Sequence, residues 1–233
     1  KSAFLKILAA ILIFAAGSFS QSRQNKKAPA PARPRPLFQQ QAVLFEETPY
    51  ATKIVLKNGV TILAEEYRSN PVISIQTHIQ AGSINDSPQS RGAARMIPSL
   101  VCRRPANKNA GTLEQNVYAL GGLLRTEVGY ESTQFEIIAP SAQWKKALNL
   151  QAEALMGPSF EKQELLLEAD LLAKEARSAL DRMEEFSTEK ALELAFDPIR
   201  LGGYGEITEA GLKGLEPEEL SGFFRAFYVP SRM

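Results

Sequence analysis

Gly92-Ala93-Ala94-Arg95-Met96-Ile97-Pro98-Ser99-Leu100 is the stretch on which the reading of this chain turns. Its composition predicts a helix over 90–103, with Arg95 and Ser99 one turn apart on the same face. Pro98 inside that helix removes a backbone hydrogen bond and crowds the preceding turn, at a cost of ~3 kcal/mol in a helix interior. A kink or a late helix start is therefore expected. Ala81-Gly82-Ser83 precedes the stretch, and a long helix expected over 161–183 follows it, carrying Glu168 and Glu175 two turns apart on one face.

Outward from there, apolar-rich runs at 52–57 and 60–67 flank Asn58-Gly59, the strongest short-range hairpin signal. Residues 72–80 alternate as a third strand, which puts His78 on the polar side with Ser74 and Gln76. Thr112, with Glu114 and Gln115 close behind it, opens a second helix that ends at Gly121-Gly122. Strands are expected over 123–128 and 132–139. A helix follows in which Trp144, Ala147, Leu148, Gln151, Ala152 and Leu155 recur at helical spacing, and Gly157-Pro158 breaks it. A shorter helix at 188–196, a glycine-rich loop at 198–205 and an amphipathic helix at 217–228 complete the pattern. Strands and helices alternating in blocks predict an α+β domain, its antiparallel-rich sheet covered by helices on one face.

Composition narrows the function. The chain has 233 residues, 44% of them hydrophobic, and a net charge of +1, without the basic excess of a nucleic-acid binder. Cys102 is the only cysteine, which excludes an internal disulfide framework and a cysteine-based zinc cluster. His78 is the only histidine, so a two-histidine metal site within this chain is impossible. At the N-terminus, Lys1 and Lys6 accompany an apolar run at 7–16, and Ser18-Phe19-Ser20 offers small residues for cleavage. Residues 1–20 read as a signal peptide or signal anchor, and 21–49 as a basic linker rich in proline and alanine. Residues 50–233 read as the folded part. The expected location is exported: periplasmic, or anchored in a membrane and facing the periplasm.

The order of Lys57-Asn58-Gly59-Val60, Ala81-Gly82-Ser83, Gly92-x-Ala94, Gly121-Gly122, Pro158-Ser159-Phe160 and the Glu168/Glu175 pair resembles the N-terminal half-domain of the M16 (pitrilysin-type, inverted zincin) metallopeptidases. That resemblance implies the LuxS-like metallohydrolase fold. It also implies a helix reading Gly-x-Ala-His-x-x-Glu-His, in which two histidines bind zinc and the glutamate is the general base. Those positions fall here on Arg95, Pro98 and Ser99. The resemblance further makes Glu175 the third ligand and Glu168 its supporting carboxylate. It gives the strand after Gly121-Gly122 the task of holding substrate backbone, at a position where this chain carries Arg125 and Thr126.

An arginine never loses its charge and repels a cation, and proline accepts no proton, so no zinc site and no cofactor are expected. Glu168 and Glu175 then read either as an ordinary polar helix face or as partners for Arg95. Because the resemblance implies further strands beyond 228–233, the half-domain reads as incomplete at its C-terminus. Two functions fit. One is an inactive subunit that pairs with an active zinc peptidase, a homologous M16 chain or half-domain, and helps form its substrate chamber. The other is a structural, core-like subunit of a membrane-bound, respiratory-type complex.

Overall fold

A computed structural model describes residues 41–67, 69–87, 90–103, 111–196 and 207–233. The expected signal segment, most of the linker and the loop at 198–205 lie outside the described residues. The chain divides into two units, 1–70 and 71–233.

The first unit is an antiparallel sheet of three strands, β1 (Ala42–Glu47), β2 (Ala51–Leu56) and β3 (Thr61–Glu65), in the order β1-β2-β3. The hairpin forms at Asn58-Gly59 as expected. Gly59 takes φ 94°, a left-handed conformation that favours glycine, and the Asn58 side chain accepts from the Val60 amide at 3.3 Å. Ile54 and Leu56 are buried on one side, with Ala42, Val60 and Ile62 packed against them. β1 corrects the expected boundary, because it occupies residues assigned to the linker. Its side chains are mostly exposed and its register shifts between Ala42 and Leu44, so it shows no alternating pattern. Main-chain pairing with β2 is what makes it a strand.

The second unit is the expected α+β layer. β4 (Val72–Ile79), β5 (Leu123–Val128) and β6 (Thr133–Pro140) form an antiparallel sheet in the order β4-β6-β5. Along the central strand, Phe135, Ile137 and Ala139 are buried, whereas Ser74, Gln76 and His78 on the opposite side of neighbouring β4 are exposed. The helices are α1 (Ala93–Arg103), α2 (Leu113–Ala119), α3 (Trp144–Leu155), α4 (Lys162–Asp181), α5 (Met183–Ala195), α6 (Glu209–Gly214) and α7 (Pro217–Phe227). The core is built from the apolar face of β6, the buried stripe of α1 (Met96, Ile97, Leu100, Val101), Leu165, Ala169 and Leu172 of α4, and Leu220 and Phe223 of α7. Each large side chain buried there contributes about 1.5–3 kcal/mol, the main term holding the layer together.

Two buried polar side chains tie this core to main chain. Gln151 is buried on α3, and its amide donates to the Phe135 carbonyl at 3.0 Å and the Ile75 carbonyl at 3.4 Å, pinning the helix to the sheet. Thr133 Oγ1 donates to the Ala81 carbonyl at 2.7 Å. The α2 cap forms as expected, with Thr112 Oγ1 accepting from the Gln115 amide at 3.1 Å and the Gln115 side chain returning to the Thr112 amide at 3.1 Å. Among the described residues no helix is long and apolar enough to cross a membrane.

Candidate functional site: the inner face of α1

The helix α1 begins at Ala93, later than position 90, and Pro98 sits buried within it. Its start is organised by a residue that local pattern does not reveal. Asp86 reaches across the loop to accept from the Gly92 amide at 2.8 Å and the Ala94 amide at 2.9 Å. Those amides would otherwise be orphaned at the helix N-terminus. Gly92 itself has φ 88°, and a Cβ there would also strike Leu212 Cδ2 at 2.5 Å.

Burial pushes the Asp86 carboxyl from 3.8 up to about 6, against the opposing pull of the Ala94 and Gly92 amides and of Arg95 and Arg91. The folded value lies above the unfolded one, so the fold favours the protonated form. The contribution of this group to stability is full below its unfolded pKa and is lost as the pH rises through about 6. Between about pH 4 and about pH 7 the wild-type chain should lose up to ~3 kcal/mol relative to Asp86→Asn, in which nothing titrates at that place. Urea unfolding of both proteins across that range checks this, and parallel stability curves would remove Asp86 as the titrating group.

α1 packs directly against α4. Arg95, Ser99 and Arg103 follow one another at single-turn spacing, all half-buried, on one face of α1. From α4, Glu168 is buried at 7% exposure, while Glu175, two turns on, is exposed. The guanidinium found on Glu168 is that of Arg103, with Nη2 at 3.0 Å from Oε2. The N–H is not aimed along that line, so the contact is an ion pair rather than a hydrogen bond. The sequence points to Arg95 as a partner for Glu168 and Glu175, and Arg103 is an addition to it. The available signal was its spacing, one further turn along the same face.

Arg95 lies close enough to Asp86 to influence its ionisation. Cys102, beside Glu168 and Glu114, is a free thiol that burial and then these carboxylates push up to about 12, so it stays protonated. Among the described residues, no three His, Cys, Asp or Glu side chains converge as a metal site. The donor set around α1 does not suit zinc. A guanidinium, a proline and a hydroxyl stand where two imidazoles and a carboxylate would be needed, and the buried carboxylate opposite is already matched by a cation. The arrangement can join two helices electrostatically.

The second expected feature is the strand after Gly121-Gly122. Gly121 has φ 74°, and at Gly122 a Cβ would meet the Ile138 carbonyl oxygen at 2.6 Å, so both glycines set how β5 enters the sheet. β5 is the last strand of its sheet among the described residues, and Arg125 and Thr126 on it are exposed. Arg125 Nη1 is 3.9 Å from Glu136 Oε2 on β6. His78 is a surface residue, its Nε2 lying 3.3 Å from Gln76 Oε1.

The family model described as "Insulinase (Peptidase family M16)" matches residues 61–200. Among curated proteins, the chain is 23% identical over 178 residues to an Arabidopsis thaliana protein named "Probable mitochondrial-processing peptidase subunit beta", covering 76% of this chain and 34% of that one. It is 24% identical over 192 residues to subunit 1 of the cytochrome b-c1 complex of Bos taurus, covering 82% and 40%. Among solved structures, it resembles the periplasmic protease PqqL from Escherichia coli, with a TM-score of 0.70, 17% identity, and coverage of 82% and 22%. It also resembles a peptidase M16 inactive domain from Pseudomonas fluorescens, with a TM-score of 0.65, 15% identity, and coverage of 75% and 42%. The chain spans between a third and two fifths of the length of the two curated relatives, 34% and 40%.

Proposed function

The chain belongs to the insulinase family of peptidases, M16, and from that premise we propose that it is a member that does not cut. In this reading it is an inactive subunit that pairs with a zinc peptidase chain of the same family and helps to form that partner's substrate chamber. The observation that carries the reading is the inner face of α1. Arg103 is ion-paired with the buried Glu168, and the family resemblance puts Arg95 and Ser99 at the ligand positions and Pro98 at that of the base. The likeness of the fold to an inactive M16 domain supports the same view.

The edge of β5 is what such a subunit offers a peptide. Among the described residues no strand pairs with its outer side, and main-chain groups of such an edge bond an extended segment without any catalytic side chain. The proposed location is the periplasm, in keeping with the apolar run at 7–16 and with the likeness to a periplasmic protease. A second reading, a structural subunit of a membrane-bound complex, is favoured by the similarity to the bovine cytochrome b-c1 subunit.

Gentle affinity capture of the exported protein, with mass spectrometry of what accompanies it, separates the two. A partner carrying an intact His-x-x-Glu-His helix supports the first reading, and membrane-complex subunits without such a partner support the second. Metal analysis of the purified chain should give far less than one zinc per molecule; stoichiometric zinc that a chelator removes would overturn both.

A further inference from the structure

The outer face of the β4-β6-β5 sheet is laid out in rows. Register sets Gln76 opposite Glu136 and Glu136 opposite Arg125; one neighbouring row runs His78, Gln134, Glu127, and the other Ser74, Ile138, Leu123. Glu136 is drawn toward β4. Its Oε1 accepts from Ser74 Oγ at 2.8 Å and from Gln76 Nε2 at 2.9 Å, and these bonds, more than Arg125, hold its carboxyl below the usual carboxylate range. Arg125 is left at the far limit of an ion pair, 3.9 Å away, with 67% of its side chain exposed. Each row therefore ends on β5 in a side chain with no neighbouring strand beyond it among the described residues. In order along β5 these are apolar Leu123, cationic Arg125 and anionic Glu127.

Directly opposed side chains on neighbouring strands attract or repel according to charge, and antiparallel pairing sets residues squarely opposite one another. We propose that the segment adding to β5 is an antiparallel peptide strand whose side chains on this face read basic, acidic, apolar in its own N-to-C direction, at every second residue. The basic side chain meets Glu127, the acidic one Arg125, and the apolar one Leu123. This rests on the reading of β5 as a peptide-holding edge and adds the class of peptide it selects. Glu136 acts as a positioning residue: bound mainly to Ser74 and Gln76, it leaves the Arg125 charge for the incoming strand.

The test uses the full chain and labelled, end-blocked heptapeptides followed by fluorescence anisotropy. One reads Thr-Lys-Thr-Glu-Thr-Val-Thr; the second exchanges Lys and Glu, so composition and net charge are identical. A third is the first with alternate backbone amides methylated. The first peptide is expected to bind about fivefold more tightly than the second, as two favourable cross-strand pairs replace two unfavourable ones. The double variant R125E/E127R is expected to invert that preference. Should it fold poorly, Arg125→Gln is expected to weaken the preference while leaving main-chain binding in place. Equal binding of the first two peptides, with loss on methylation, would overturn the charge pattern and leave strand addition standing. No binding, or binding indifferent to methylation, would remove the peptide edge itself and the proposal with it.

Discussion

Replacing Arg103 with methionine is expected to destabilise the chain by about 2–4 kcal/mol, because it strands the buried Glu168 carboxylate without a cation. The figure sits below that for a fully buried pair, since the Arg103 side chain is 32% exposed while that of Glu168 is 9% exposed. Most of the loss comes from the carboxylate left behind rather than from the attraction given up. The double variant Arg103→Met/Glu168→Leu should therefore recover most of it, as apolar replacements of buried pairs commonly do. Urea unfolding of the two single variants and the double closes the cycle. A cost for Arg103→Met under about 0.5 kcal/mol would place this contact among ordinary surface pairs. The account of how α1 and α4 are joined would then fail.

The second large effect concerns Gly82, at the turn between β4 and α1. An alanine there would bring its Cβ to 2.3 Å from the Tyr130 carbonyl oxygen and 2.6 Å from that of Gly129. The backbone of Gly82 is extended and suits any residue, so the obstacle is contact rather than conformation. The crowded atoms belong to main chain on the β5-β6 turn, where Gly129 and Tyr130 accept the Ser83 and Ile84 amides at 3.2 and 2.9 Å. Neither side can rotate away as a flexible side chain would. Gly82→Ala should cost about 3 kcal/mol, at the upper end for overpacked sites. A thermal or urea midpoint close to wild type would show that the turn can move aside.

Much of this architecture could be read from local chemistry. Asn58-Gly59 announced a hairpin because the turn needs a left-handed residue and glycine supplies it, and Thr112 announced a helix start because its partner Gln115 lies within the same turn. What escaped was set by contacts between distant residues. β1 is a strand because β2 offers it a ladder, not because its side chains alternate. Asp86 caps α1 from well outside the helix, beyond the window in which cap patterns are sought. Arg103 became the partner of Glu168 through the packing of α1 on α4, and the sequence shows only that it shares a face with Arg95. The rows on the outer sheet face depend on a register that pairs 72–79 with 133–140, too far apart in the chain for any spacing rule.

Pro98 lies buried in the middle of α1 and has lost the amide that would have bonded the Ala94 carbonyl. A glutamate restored at that position would regain the hydrogen bond but introduce a carboxylate whose charge must be solvated or matched. Arg95 lies one turn before it, while Arg103 is already committed to Glu168. In the proposed reading, rebuilding a hydrolase on this backbone would mean releasing that clamp as well as exchanging three side chains. In that reading, what steadies the two helices is also what stands against a return of catalysis.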